Sequence, residues 1–151
     1  MTKQKAIAGV VGVATLLAVV AWYVLGPWGA EGQLKRGFAY EYGFGVKEDK
    51  AEAVKWFRKA AEQGYAPAQY RLGLAYAKGE GVKQDLIEAV KWYEKAAEQG
   101  NADAQNQLGN AYAHSDGVMK DEVEAAKWFR KAVEQGYAPA ISSLKEMGLA
   151  P

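Results

Sequence analysis

The chain has 151 residues, half of them apolar, enough for one modest domain with a true core. All 18 acidic residues lie at or beyond Glu31, where 17 basic ones meet them, and that balance excludes the concentrated basic face of a nucleic-acid binder. Cysteine is absent, which excludes disulfides, thiolate metal sites, a cysteine nucleophile and a lipidated cysteine.

Residues 1–5 form a basic tail with Lys3 and Lys5, and Ala6 to Leu25 then runs uncharged for 20 residues. A helix of that length spans about 30 Å, one bilayer hydrocarbon core. Trp22, Tyr23 and Trp28 follow at its far end, where amphipathic rings favour the headgroup level. Gly26-Pro27 ends the helix and opens a linker over 26–29. The expectation is an N-terminal transmembrane helix acting as a signal anchor over 6–25, in contact with the lipid bilayer. A cleaved signal peptide stays open as the alternative, although Trp28-Gly29-Ala30 puts a tryptophan where a small residue is required and Val19-Val20-Ala21 is only tolerable. A buried soluble helix is a third option. Lys3, Lys5 and the amino terminus, set against Lys35 and Arg36, favour the N-terminus inside and the following domain outside.

From Ala30 the chain repeats itself every 36 residues: Gly37, Gly73 and Gly109; Tyr40, Tyr76 and Tyr112; Asp49, Asp85 and Asp121; Trp56, Trp92 and Trp128; Gly64, Gly100 and Gly136. A period of this size means small units stacked in a solenoid, none able to bury its apolar face alone. The units run over 30–65, 66–101 and 102–137, with a partial fourth over 138–151, inside one repeat domain over 30–151.

Each unit predicts two helices. Helix A of the second unit spans Ala66 to about Lys78, with Pro67 in the first turn and Ala68, Leu72, Ala75 and Tyr76 as its apolar stripe. Gly73 sits inside it at a cost of about 1 kcal/mol relative to alanine, so a close helix–helix contact is expected there. The connector Gly79–Asp85 supplies two glycines, and Asp85 with Glu88 reads as a capping box. Helix B carries Ala89, Trp92, Tyr93, Ala96 and Ala97 on one stripe and stops at Gly100, a left-handed C-terminal position. The three tryptophans are expected to form a stacked core ladder.

The pattern A-x-x-x-L-G-x-x-Y, G-x-G-V-x-x-D and A-x-x-W-[FY]-x-K-A-A-E-Q-G resembles the Sel-one-like repeats, relatives of the tetratricopeptide repeats with a longer connector. It covers Ala30 to Gly136, and Tyr137 to Leu149 as a fourth helix A. The resemblance implies an all-α, right-handed helical-repeat solenoid of three helix-turn-helix units plus a C-terminal capping helix, with helix A on the concave side. It also implies the role of a protein-protein interaction adaptor or scaffold. Two departures stand out. Arg36 takes the place of Leu72 and Leu108, so the first unit is expected to pack less regularly; Lys145 and Glu146 suit a polar end cap.

Catalysis finds little material. The one histidine, His114, is followed by Ser115 and Asp116, and consecutive residues cannot form a serine–histidine–aspartate relay. One histidine leaves no imidazole cluster for zinc, and the alternating acids of an EF-hand are missing. No cofactor motif occurs, and the repeated acids are expected to be structural. The reading is therefore a protein without enzyme activity.

A position needed for folding is alike in every unit, whereas one that reads a partner is free to differ. On helix A the differing offsets are 70, 71, 74, 77 and 78, and 70, 74, 77 and 78 share one face. The candidate partner-binding groove is thus Leu34, Phe38 and Tyr42; Tyr70, Leu74 and Lys78; Asn106, Asn110 and His114; then Ser142 and Glu146, with Lys35, Arg71 and Gln107 along its border.

Three functional readings follow. The first is a bacterial inner-membrane, single-pass adaptor facing the periplasm and holding a peptide or helical segment of another protein in that groove. Periplasmic release after signal cleavage and a cytoplasmic repeat domain are its locational alternatives. The second is an accessory subunit of a larger membrane complex held through residues 6–25. The third is a cell-wall-fragment binder or hydrolase, which the missing cysteines and absent nucleophile–base pair disfavour.

Overall fold

The computed structural model describes residues 29–150. The expected transmembrane segment over 6–25 lies outside the described residues, among which no helix is long and apolar enough to cross a membrane. Seven helices follow one another: α1 Ala30–Tyr42, α2 Lys50–Glu62, α3 Ala66–Lys78, α4 Leu86–Glu98, α5 Ala102–His114, α6 Glu122–Glu134 and α7 Ala138–Glu146. Odd-numbered helices are helix A of their units and even-numbered ones helix B. No strand occurs among the described residues, and each helix packs on the one before and the one after it. The first two helices A touch, as do the last two, so the A side is the inner side of the stack.

Within a unit the closest approach is between a helix A glycine and a helix B ring. A Cβ on Gly73 would lie 2.6 Å from the Tyr93 ring, and one on Gly109 2.6 Å from the Phe129 ring; Gly37 meets Phe57 in the same way. Phe57, Tyr93 and Phe129 are therefore the deep aromatic series, all at most 5% exposed. Of the tryptophans one residue earlier, Trp56 is half-buried, whereas Trp92 and Trp128 are buried, 7% and 8% exposed, in the cores they share with the preceding unit. Lys59, Lys95 and Lys131 each place an ammonium 4.1 Å from the ring centre of Trp56, Trp92 and Trp128, and none of these three tryptophans stacks on another. One step along a helix is 100° of rotation, so the two aromatic series face different neighbours.

That close approach lets the connector tie the two helices together. The Asp85 N–H donates to the Tyr76 carbonyl at 3.0 Å, and Asp49 to Tyr40 and Asp121 to Tyr112 do likewise. The aspartate side chains accept from Glu52, Glu88 and Glu124 N–H as N-caps. Only this half of the expected capping box forms, because the aspartate N–H is already engaged. The Glu88 carboxylate turns outward to Lys91 and accepts from Trp92 Nε1 instead.

Between units two further devices act. A Cβ on Gly81 would strike the Lys50 carbonyl, and one on Gly117 the Leu86 carbonyl, so each connector rests on the first turn of the preceding helix B. At the opposite edge the glutamines form a ladder. Buried Gln69 Nε2 donates to the Ala61 carbonyl of α2 and its Oε1 accepts from Gln99 at the end of α4; Gln105 repeats this with Ala97 and Gln135. Gln69 and Gln105 thereby each tie three successive helices.

The first unit is as regular as the others, against expectation. Gly37 keeps its contact with Phe57, and Arg36 points outward with its guanidinium 5.0 Å from the Trp56 ring centre. At the other end Lys145 and Glu146 are exposed, and α7 is fastened by the Tyr137 hydroxyl donating to Asp103 at 2.8 Å.

Gly73→Ala will destabilise the fold by about 1–3 kcal/mol in urea denaturation, because overpacking against a buried ring outweighs the gain in helix propensity. Gln105→Leu will lower stability by about 2 kcal/mol, since a buried carbonyl and an amide both lose their partners.

Candidate partner-binding groove

The niches of the inner face repeat with the sequence. The first lies between α1, the start of α2 and α3, has a volume of about 380 Å³, and is lined by Glu41, Tyr42, Glu48, Lys50, Phe57, Arg71, Leu74, Lys78 and Glu80 among others. The second is its counterpart one unit on, reduced to about 90 Å³ between Ala77, Leu86, Tyr93, Gln107 and Asn110. The third lies a further unit along, with about 410 Å³ between Asn110, Ala113, His114, Lys120, Phe129, Glu146 and Met147. Their walls correspond at 36-residue steps, as Phe57, Tyr93 and Phe129 do on helix B.

Eight of the sequence-predicted groove and border residues line these niches: Tyr42, Arg71, Leu74 and Lys78 in the first, Gln107 in the second, Asn110 in the second and third, His114 and Glu146 in the third. Arg71 is held with its guanidinium 4.7 Å from the Phe38 ring centre. Phe38 itself is half-buried, edge-on to Phe57 at 5.5 Å, and Tyr70 is half-buried against Tyr93 at 6.2 Å. Burial, followed by the nearby Asp103 carboxylate, pushes the Tyr70 hydroxyl above its ordinary value, with Gln107 opposing by hydrogen bonding. Leu34 and Asn106 are a correction. Both are 7% exposed, Leu34 within the core of the first two units, whereas Tyr70 at the same offset is half-buried, so the offset does not present one open face in every unit.

The wall supplied by the connectors and the first turns of helix B was missed by a search confined to helix A. Glu48, Lys50 and Glu80 stand in the first niche, with Lys50 paired to Glu80 at 3.4 Å, and Lys120 and Glu122 stand paired at 2.7 Å in the third. The exposed large apolar side chains of the described residues are Tyr42, Phe44, Val46, Leu86, Ile87, Met119 and Val123, and all of them lie on this same connector edge. The signal was available: offsets 44/80/116, 50/86/122 and 51/87/123 differ between units as strongly as those of helix A. Among the described residues no three histidines, aspartates or glutamates gather as a metal site.

The stacked helix pairs, with niches between successive units, define an α-solenoid built for surface contact. A family model for the Sel1 repeat matches residues 30–65, 66–101 and 102–137, and the chain belongs to that family, whose members mediate protein–protein interaction and are generally non-catalytic scaffolds. Among solved structures it resembles a Sel1 repeat protein from Oxalobacter formigenes, 42% identical over 76% of this chain and 47% of that one, with a TM-score of 0.74. A protective antigen of uropathogenic Escherichia coli displaying an SLR fold is 40% identical over 83% of this chain and 27% of its own, with a TM-score of 0.76. Helicobacter pylori cysteine-rich protein B is 26% identical over 76% of this chain and 94% of its own, with a TM-score of 0.62. The chain thus spans about half of the first of these proteins and about a quarter of the second. No curated protein matches the chain.

Beside the third niche, Ser115 ends α5 at φ 64°, where the other units place Gly43 at 72° and Gly79 at 69°. Ser115→Gly will raise stability by about 0.5–1 kcal/mol in urea denaturation by relieving a left-handed non-glycine residue.

Proposed function

We propose that the protein is a membrane-anchored adaptor that holds a segment of another protein along the inner face and connector edge of its Sel1 repeats. The observation that carries this reading is the division of labour within the repeat. Residues alike in all units are mostly consumed in folding, whereas eight of the differing ones line a series of niches in register. Exposed apolar side chains gathered on one edge are characteristic of interaction surfaces. Residues 6–25 supply the anchor, with the repeat domain on the periplasmic side of a bacterial inner membrane. The groove holds no nucleophile–base pair, and no enzyme activity is assigned to it.

An accessory subunit held through the anchor is the competing reading, favoured by the 20-residue uncharged run itself. A photo-crosslinking residue introduced at Tyr42 or at Lys78 in intact cells tests both. Adducts are expected from these positions and not from Lys55 or Lys91, which are exposed on helix B. They should survive replacement of residues 6–25 by an unrelated transmembrane span. Equal adducts from both sets of positions would refute the groove, and loss of adducts on swapping the anchor would favour the subunit reading.

A further inference from the structure

The first and third niches hold about 380 and 410 Å³, room for a large side chain each, and the second only about 90 Å³. The first two and the last two helices A touch, so the advance per unit is taken as about 10 Å, the packing distance of neighbouring helices. An extended chain advances about 3.3 Å per residue, so it takes about three residues to cross one unit and six to cross two. Its side chains alternate, so residues i and i+6 point the same way while i+3 points away. Two large niches flanking a small one are the imprint of that alternation.

The niches differ in charge. In the first, one carboxylate oxygen of Glu41 is buried without a hydrogen-bond partner, and Glu48 beside it has no ion pair. Lys50 is occupied by Glu80, Arg71 lies over Phe38, and Lys78 stands at the exposed rim. Val54, Phe57 and Leu74 give an apolar floor for an aliphatic stem. An unpaired buried carboxylate oxygen is costly until a donor reaches it, and a cationic one answers it best. In the other units the Glu41 position is Ala77 and Ala113, so the third niche has no buried acid there; its own carboxylates are the exposed Glu146 and Glu122, the latter paired with Lys120. Its floor is Phe129 and Met147.

We infer that the partner is an extended segment carrying an arginine or lysine that enters the first niche and a bulky uncharged side chain six residues away that enters the third. This rests on the groove reading above and deepens it.

The test selects phage-displayed random dodecapeptides on the full chain in detergent micelles, and measures synthetic copies of the enriched sequences by fluorescence anisotropy. The expected result is a basic residue paired with a bulky one at a spacing of six. Glu41→Ala, which installs the residue native to the other units, should weaken such peptides about tenfold and abolish their advantage over copies carrying norleucine. Ala113→Glu should create a preference for a basic residue at the second position. Enriched peptides that bind the Tyr42→Ala, Lys78→Glu variant undiminished, or no enrichment at all, would overturn the groove reading and this inference together. Peptides weakened by that variant but lacking the basic residue, differently spaced or helical, or indifferent to Glu41→Ala, would overturn this inference alone.

Discussion

An aromatic ring lying directly on a glycine backbone governs the geometry of this solenoid. Because Gly37, Gly73 and Gly109 lack a Cβ, the rings of Phe57, Tyr93 and Phe129 press against helix A itself. That approach brings the aspartate N–H of each connector within reach of the tyrosine carbonyl near the end of helix A, and that hydrogen bond closes the seven-residue connector. A methyl group at the glycine would move helix B outward and break contacts on both sides of the unit at once. The helix propensity forfeited at the glycine is small beside the packing it permits.

Stacking then follows from two different edges. On the connector edge, glycines at positive φ let one unit rest on the backbone of the one before it; on the other edge, buried glutamine amides bridge successive helices. One edge is held by shape and the other by polar pairing, so the units are fixed in angle as well as in distance. The surface that remains uncommitted lies between successive helices A and along the connectors, which is where the chain places its variable and its exposed apolar residues. Rigidity on the repeated positions is what allows the unrepeated ones to present a defined outline.

The helices were legible in the sequence almost to the residue, because stripes, caps and glycine stops agreed with one another in every unit: the expected Ala66–Lys78 is α3. The glycine contact was legible for the same reason, since a repeated residue that weakens its own helix must serve a neighbour. The ring that fills that contact was not legible, because Trp56, Trp92 and Trp128 share the apolar stripe with the residues after them and the pattern alone does not tell which ring meets its own unit's helix A. The expected stacking of the tryptophans is absent, although Trp92 and Trp128 are in the core. The glutamine ladder was invisible, because glutamine at a helix end reads as solvated until the adjoining helix is in place. Leu34 and Asn106 went differently: sequence variation marked them as free, whereas both are buried where Tyr70 at the same offset is half-buried, so variation between units does not by itself mark exposure.

The register of all these contacts makes length a discrete quantity in this fold. Loss or gain of 36 residues returns every glycine to its ring and every glutamine to its carbonyl, whereas any other change inside a unit puts the whole lattice out of phase. The two roomy compartments of the inner face behave as marks on a ruler graduated in whole units. Such a ruler can be lengthened or shortened by recombination between like units without redesigning a single contact, and each graduation resets which stretch of a partner it measures.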